Sequence, residues 1–230
     1  MFIAFHAGSQ EIDSSWIAKN YVPRLAEGIG SYLSNTKFID EKGKVKKLTD
    51  FKGKILFVDI WATDCAPCIA KFPHAEQLLK RLKAIGLDAA IQFVNICIEE
   101  TKEEWKRLLK KHNPVGINLY SLDTAIDKAW NIDAVPRYML VNVDGRILTK
   151  NFTGPDDGST EYLLYAATKG IQPLEAIWIQ FRQYKYYREH NYRFTDDLEG
   201  SAYAKWYSIT EANRIEYFKW DTERRKKSSR

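Results

Sequence analysis

Seven residues, Ile55-Leu56-Phe57-Val58-Asp59-Ile60-Trp61, form an almost continuous apolar run of strand-forming side chains. A half-buried strand alternates apolar and polar residues. A run that is apolar on both faces must be covered on both, which makes it a central strand with layers above and below. Ile91-Gln92-Phe93-Val94-Asn95-Ile96-Cys97-Ile98 has the same character. Between the two runs, Ile69, Phe72, Leu78, Leu79, Leu82 and Ile85 recur at helical spacing, and Gly86 can end that helix. Thr101 and Glu104 read as a capping box for a helix carrying Trp105, Leu108 and Leu109, which stops before Pro114. Asp123 to Trp130 predicts a short helix, and Thr160 to Lys169 predicts another, closed by Gly170. Tyr138–Val143 and Arg146–Leu148 flank Asp144-Gly145, a hairpin signal that suggests a type I′ turn. Phe38–Asp40 and Lys44-Val45 around Lys42-Gly43 read as a lead-in hairpin. The order β-α-β-α-β-β-α predicts an α/β fold: a central mixed sheet flanked by helices.

The flanks are less regular. Residues 1–35 read as an N-terminal extension, with a short helix between Ile17 and Leu33 interrupted at Pro23. Residues 36–170 hold the regular domain, and 171–230 form a C-terminal extension carrying 13 of the 31 aromatic residues. So many rings imply that part of this extension packs against something. Within it, Ser208 and Glu211 suggest a second capping box, with Ile209, Ala212, Ile215 and Phe218 on the helix's packing face. The run Arg224-Arg225-Lys226-Lys227 reads as a solvated tail, and His74 as a surface residue. The net charge of +5 is spread along the chain, so nucleic acid is not an expected partner. The longest apolar stretch, Tyr162–Ala167, is far short of the roughly 20 residues a membrane span needs. The opening Met1-Phe2-Ile3-Ala4-Phe5-His6 lacks a basic n-region and a long apolar core. On that reading the protein stays inside the cell, or the chain lacks its export signal.

Three cysteines exclude a disulfide scaffold. Cys65 and Cys68 form a Cys-x-x-Cys pair, a pattern open to either metal binding or redox chemistry. Structural zinc takes four ligands, and here Cys97, His6, His74, His112 and His190 are scattered singly. No metal is expected. Redox chemistry needs a thiolate at a helix N-terminus, where the helix dipole and unpaired N–H groups stabilise S⁻. Cys65 falls between the strand ending at Trp61 and the helix carrying Ile69 and Phe72, with Pro67 suited to the helix start. Cys68 lies one turn in. Cys65 is therefore the expected nucleophile and Cys68 the resolving thiol. Cys97, in a buried strand, reads as a small core residue.

The segment Asp59-Ile60-Trp61-Ala62-Thr63-Asp64-Cys65-Ala66-Pro67-Cys68, with Pro73 following, resembles the active-site segment of thioredoxin-fold oxidoreductases. Lys52-Gly53-Lys54 and Val135-Pro136-Arg137-Tyr138-Met139-Leu140-Val141-Asn142-Val143-Asp144-Gly145 narrow the resemblance to the TlpA/ResA branch of the redoxins, over about residues 36–170. The resemblance implies a thioredoxin-like fold with Asp59 as a buried acid exchanging a proton with Cys68. It implies Trp61 as the aromatic covering the disulfide and Pro136 as a cis-proline in the substrate loop. Trp61, Val135, Arg137, Ala66 and Pro67 would then line the substrate side. Asp64 stands where the family commonly has an aromatic residue, and Arg137 where thioredoxin has a small hydroxyl residue. A carboxylate beside the thiol disfavours acidic substrates. Arg137 would offset Asp64, anchor a substrate carboxylate, or simply be solvated.

The expected function is a thiol–disulfide oxidoreductase acting on protein disulfides, as a reductant supplied by an upstream thiol electron donor. No cofactor is expected beyond the redox-active disulfide Cys65–Cys68. The alternatives are a thioredoxin-fold module that holds extended polypeptide and, less favoured, a thiol peroxidase; the Pro-x-x-x-Thr-x-x-Cys stretch of peroxidases does not occur. The family resemblance points to an extracytoplasmic, periplasmic location, with the cytoplasm left open.

Overall fold

A computed structural model describes residues 13–32, 35–98, 101–123 and 126–228. The opening residues, His6 among them, and the terminal Arg230 lie outside these. Seven strands form one mixed sheet in the order β2-β1-β5-β4-β3-β6-β7. They are β1 (Phe38–Asp40), β2 (Val45–Lys46), β3 (Ile55–Trp61), β4 (Ile91–Cys97), β5 (Ile117–Ser121), β6 (Arg137–Val141) and β7 (Ile147–Phe152). The central run is β3, and all seven of its residues are buried. It pairs in parallel with β4 and antiparallel with β6, so Asp59 stands opposite Asn95 on one side and Tyr138 on the other.

The alternation of β3 divides the interior in two. Leu56, Val58 and Ile60 pack with Leu48, Ile126, Trp130 and Met139 on one face. Phe57 faces the other way, toward Ala75, Leu78 and Leu82 of α3 (Ala66–Ala84). Asp59 and Trp61 share that face by the two-residue period of the strand. Gly86, two residues past α3 with φ +73°, provides the expected stop.

Several details differ from the sequence reading. β5 follows Gly116 and lies between β4 and β1; it was not anticipated because five residues, Ile117-Asn118-Leu119-Tyr120-Ser121, give too short a pattern. Helix α4 (Lys102–His112) has Thr101 at its N-cap, but the Thr101 side chain makes no capping bond. The 142–146 hairpin is not type I′. Gly145 alone is left-handed there, its N–H donates to the Asn142 carbonyl, and the Asn142 N–H to that of Arg146. That is a type I turn closed by a glycine bulge, the three-residue solution to the same connection. Pro23 does not interrupt one helix but sits in the first turn of a second, α2 (Val22–Leu25), after α1 (Ser14–Asn20).

Both extensions join the main core. Ile17, Tyr21 and Leu25 are buried with Phe57, Leu140 and Phe152. Helices α6 (Thr160–Thr168) and α7 (Pro173–Glu189) pack on each other, and α8 (Leu198–Ser228) completes the layer; α5 is the short Ile126–Trp130. The Tyr162 ring meets those of Tyr203 and Trp206 at centroid distances of 4.9 and 4.8 Å. The expected capping box at Ser208 is absent because α8 runs through it for 31 residues. Its expected packing face is the solvent face: Ile209 and Ile215 are 47% and 48% exposed, while Tyr203, Trp206 and Thr210 turn inward. The aromatic rings, not the β-branched residues, decided which stripe was buried, because they remove more apolar area from water.

Candidate active site

The redox site lies where β3 hands over to α3. Cys65 is the N-cap of α3, with Pro67 in the first turn, and Cys65 and Cys68 are joined in a disulfide with Cα atoms 5.3 Å apart. The Cys68 N–H donates to the Cys65 sulfur at 3.2 Å. A negative charge left on Cys65 by reduction therefore meets a backbone donor and the positive end of a 19-residue helix. Cys65 is 9% exposed and Cys68 fully buried, so the outer sulfur is the one an incoming group can approach. Ala66 and Pro67 are exposed beside it.

Trp61 is fully buried in one cluster with Cys65, Cys68, Phe72, Cys97 and Trp105, and its ring meets Phe72 edge-on at 5.2 Å. It backs the disulfide from the core and offers no surface to a client, which corrects its expected place among the substrate-binding residues. Val135 packs against the same cluster, and the Val135–Pro136 peptide is cis. The resemblance implied a cis-proline at Pro136, and the residue before it, Val135, is the one that packs against the cysteine cluster.

Asp59 is 3% exposed, and its Oδ1 has no hydrogen-bond partner. Burial pushes its pKa up from 3.8 to about 8, because the charged form loses water with nothing to replace it. The carboxyl is thus protonated over most of the neutral range and exchanges its proton near the pH at which thiols do. Tyr138, directly across from Asp59 on β6, stacks on Phe57 at 5.5 Å, and burial together with the Asp59 charge raises its pKa.

Arg137 is neither solvated nor open to a substrate carboxylate. It is buried and ion-paired with Asp133 and, at 3.3 Å, with Glu27 from the N-terminal extension. Its charge serves the internal join between that extension and β6, which no sequence spacing could show. Asp64 is exposed. Cys97 is buried in β4, as a core residue should be. Lys71, one turn after Cys68, pairs with Asp156. With Arg24, Pro136, Tyr138 and Asn151 these two line an open cleft of about 300 Å³ at the edge of the proline loop. Among the described residues no group of three His, Cys, Asp or Glu side chains is arranged to hold a metal ion.

His74 is buried in the middle of α3, not on the surface, and Arg224 of the supposed tail reaches it. The missed signal was α8 itself, whose aromatic Tyr217 and Trp220 share one face with Arg224 and lie over α3.

The family model for redoxins matches residues 28–164. The thiol-disulfide oxidoreductase ResA of Bacillus subtilis (strain 168) is 28% identical over 149 residues, 64% of this chain and 77% of that one. A crystal structure of a putative thiol-disulfide oxidoreductase from Bacteroides vulgatus superimposes with a TM-score of 0.55 at 32% identity, over 60% of this chain and 96% of that chain. The solution structure of a thiol:disulfide interchange protein from Bacteroides sp. gives 0.53 at 26% identity, over 63% and 95%.

Proposed function

Because this chain belongs to the redoxin family and is a thioredoxin-like thiol–disulfide oxidoreductase, we propose that it reduces disulfides in protein clients, drawing electrons from an upstream thiol donor. The observation that carries this reading is the unequal exposure of Cys65 and Cys68 at the N-terminus of α3. The Cys65 thiolate attacks one client sulfur, forming a mixed disulfide and releasing the other sulfur as thiolate. Cys68 then gives its proton to Asp59 in the carboxyl's minor, ionised fraction and attacks Cys65, which closes the Cys65–Cys68 disulfide. The client's second thiolate leaves and takes a proton from water. A donor dithiol repeats the exchange in reverse and returns both electrons. A carboxyl whose pKa burial raises to about 8 can take and return a proton near neutrality, as general acid–base catalysis requires.

The exposed Ala66 and Pro67, and half-buried Val135 and Pro136, supply the surface against which an extended client segment lies. The cleft beyond Pro136 leaves room for a neighbouring client side chain. Among the described residues no helix is long and apolar enough to cross a membrane. The likeness to ResA supports an extracytoplasmic place of action.

The deciding experiment equilibrates the protein in dithiothreitol or glutathione buffers and follows tryptophan fluorescence, since Trp61 packs in the disulfide's own cluster. A two-electron transition below about −230 mV, in the range of thioredoxin, is the expected result. A value near −120 mV, characteristic of a strong oxidant, would overturn the reductase reading.

A further inference from the structure

The redoxin match ends at residue 164, yet the middle of the Cys-x-x-Cys helix is also held from beyond it, by side chains at the far end of α8. His74 stands at the centre of these. Its Nε2 lies 2.8 Å from Nη1 of Arg224, and its Nδ1 lies 2.8 Å from the Tyr217 hydroxyl. The other Arg224 terminal nitrogen, Nη2, donates to the Ala70 carbonyl at 3.1 Å, only two residues past Cys68. A guanidinium has donors and no acceptor. Nε2 must therefore accept, which leaves the proton on Nδ1 to be donated to Tyr217. The arrangement admits one tautomer, the neutral Nδ1–H form. A second proton on Nε2 would set N–H against N–H and positive charge against positive charge.

We infer that His74 and Arg224 are positioning residues of the thiol–disulfide site. They pin the end of α8 to the active-site helix while His74 is neutral, and the pin opens when His74 is protonated. What opens is limited. The first half of α8 is fixed in the core by Tyr203, Trp206 and Thr210. Tyr217 keeps its stack under the Arg81 guanidinium, 4.0 Å from the ring centroid, and Glu216 keeps its ion pair with Lys80 at 2.7 Å. The released part is the last two turns, from about 221 to 228, together with the hold on Ala70.

The charged groups around His74 act in both directions. Asp156 from the β7–α6 loop and Asp221 of α8 favour the imidazolium, whereas Arg224 and Lys71 oppose it. Burial is the largest influence, and the net result is a pKa held below the ordinary 6.5. A histidine whose folded pKa is depressed contributes its full stabilisation above 6.5 and loses it as the pH falls toward the folded value. The pin is thus closed in neutral solution and opens on acidification below the ordinary histidine value. Because Ala70 lies two residues past Cys68 on α3, loss of the hold on its carbonyl loosens the turn that carries the resolving cysteine.

The test uses the full oxidised chain, with hydrogen exchange read by mass spectrometry at pH 7.5 and 5.5 and corrected for intrinsic rates. In the wild type, amides in 221–228 are expected to lose about tenfold or more of their protection on acidification. His74→Gln, which still offers an acceptor but cannot be protonated, should keep its protection at both values. Arg224→Met should lack it at both. The same proteins, equilibrated with dithiothreitol, should show equal Cys65–Cys68 equilibrium constants for wild type and His74→Gln at pH 7.5, separating by about threefold or more at pH 5.5. Wild-type protection that does not change with pH, or a fall shared by His74→Gln, overturns the switch. Equilibrium constants that stay equal at both pH values overturn the positioning role. The exchange arm stands whichever way electrons flow, so its failure is separable from that of the reductase reading.

Discussion

Replacing Asp59 with Asn tests the most consequential charge in the interior. The carboxyl ionises at 3.8 when exposed and at about 8 in the folded chain, so between those values the folded state holds a proton that the unfolded state has lost. Stability is therefore full below pH 3.8, declines as the pH rises, and reaches its floor above 8. The slope is about 1.4 kcal/mol per pH unit, giving a loss on the order of 6 kcal/mol over the whole window and about 4 kcal/mol between pH 5 and 8. Asn has nearly the same shape and no ionisation, and Oδ1 of Asp59 already lacks a partner, so the amide disrupts no existing bond at that atom. Urea unfolding of the oxidised wild type and Asp59→Asn at pH 5.0, 6.5 and 8.0 gives the comparison. Every other titrating group is common to both proteins, so the difference between the curves isolates this one. The variant should be the more stable by about 2 kcal/mol at pH 5.0, and the gap should widen by about 4 kcal/mol more at pH 8.0. Parallel curves would refute the argument, because they would mean that Asp59 finds solvation or a counter-charge in the folded state.

Cys68→Ser should accumulate mixed disulfides through Cys65 that dithiothreitol resolves, visible as higher bands on non-reducing gels, whereas Cys65→Ser should not; equal trapping by both would refute the assigned roles, and trapping by Cys65→Ser alone would reverse them. Trp206→Ala removes a ring that is 2% exposed and packed on Tyr162, and should cost about 3–5 kcal/mol, lowering Tm by roughly 10 °C. A change of a degree or two would mean that α8 is not part of the cooperative core. Glu161→Gln leaves Arg81 with no carboxylate at its Nε, where the two are now 2.7 Å apart and almost fully buried. Chemical denaturation should show a loss of about 3 kcal/mol or more, and no loss would indicate that stacking on Tyr217 suffices for the guanidinium.

What could be read from the sequence follows the range of the interaction concerned. β3, α3 and the glycine that ends it were legible because apolar period and helix-stop chemistry are local, as was the placing of Cys65 at a helix N-terminus. The cis Val135–Pro136 bond came from family likeness, since nothing in local chemistry demands it. The partners of Arg137 and His74 were not legible. Glu27 lies 110 residues from Arg137 and Arg224 lies 150 from His74, and both pairs exist only because the two extensions fold back on the domain. The α8 face was misread for a related reason. Periodicity finds a stripe but does not say which of two candidate stripes meets the core, and Tyr203 and Trp206 outweighed Ile209 and Ile215.

A core that draws on Ile17 at one end and Trp206 at the other has a practical consequence. The redoxin portion is not portable. Cutting the chain after residue 170 would uncover Tyr162, Leu163 and Ala166, and trimming before residue 36 would strip Glu27 from Arg137. Anyone grafting this Cys-x-x-Cys unit onto another scaffold would have to carry along almost the whole chain.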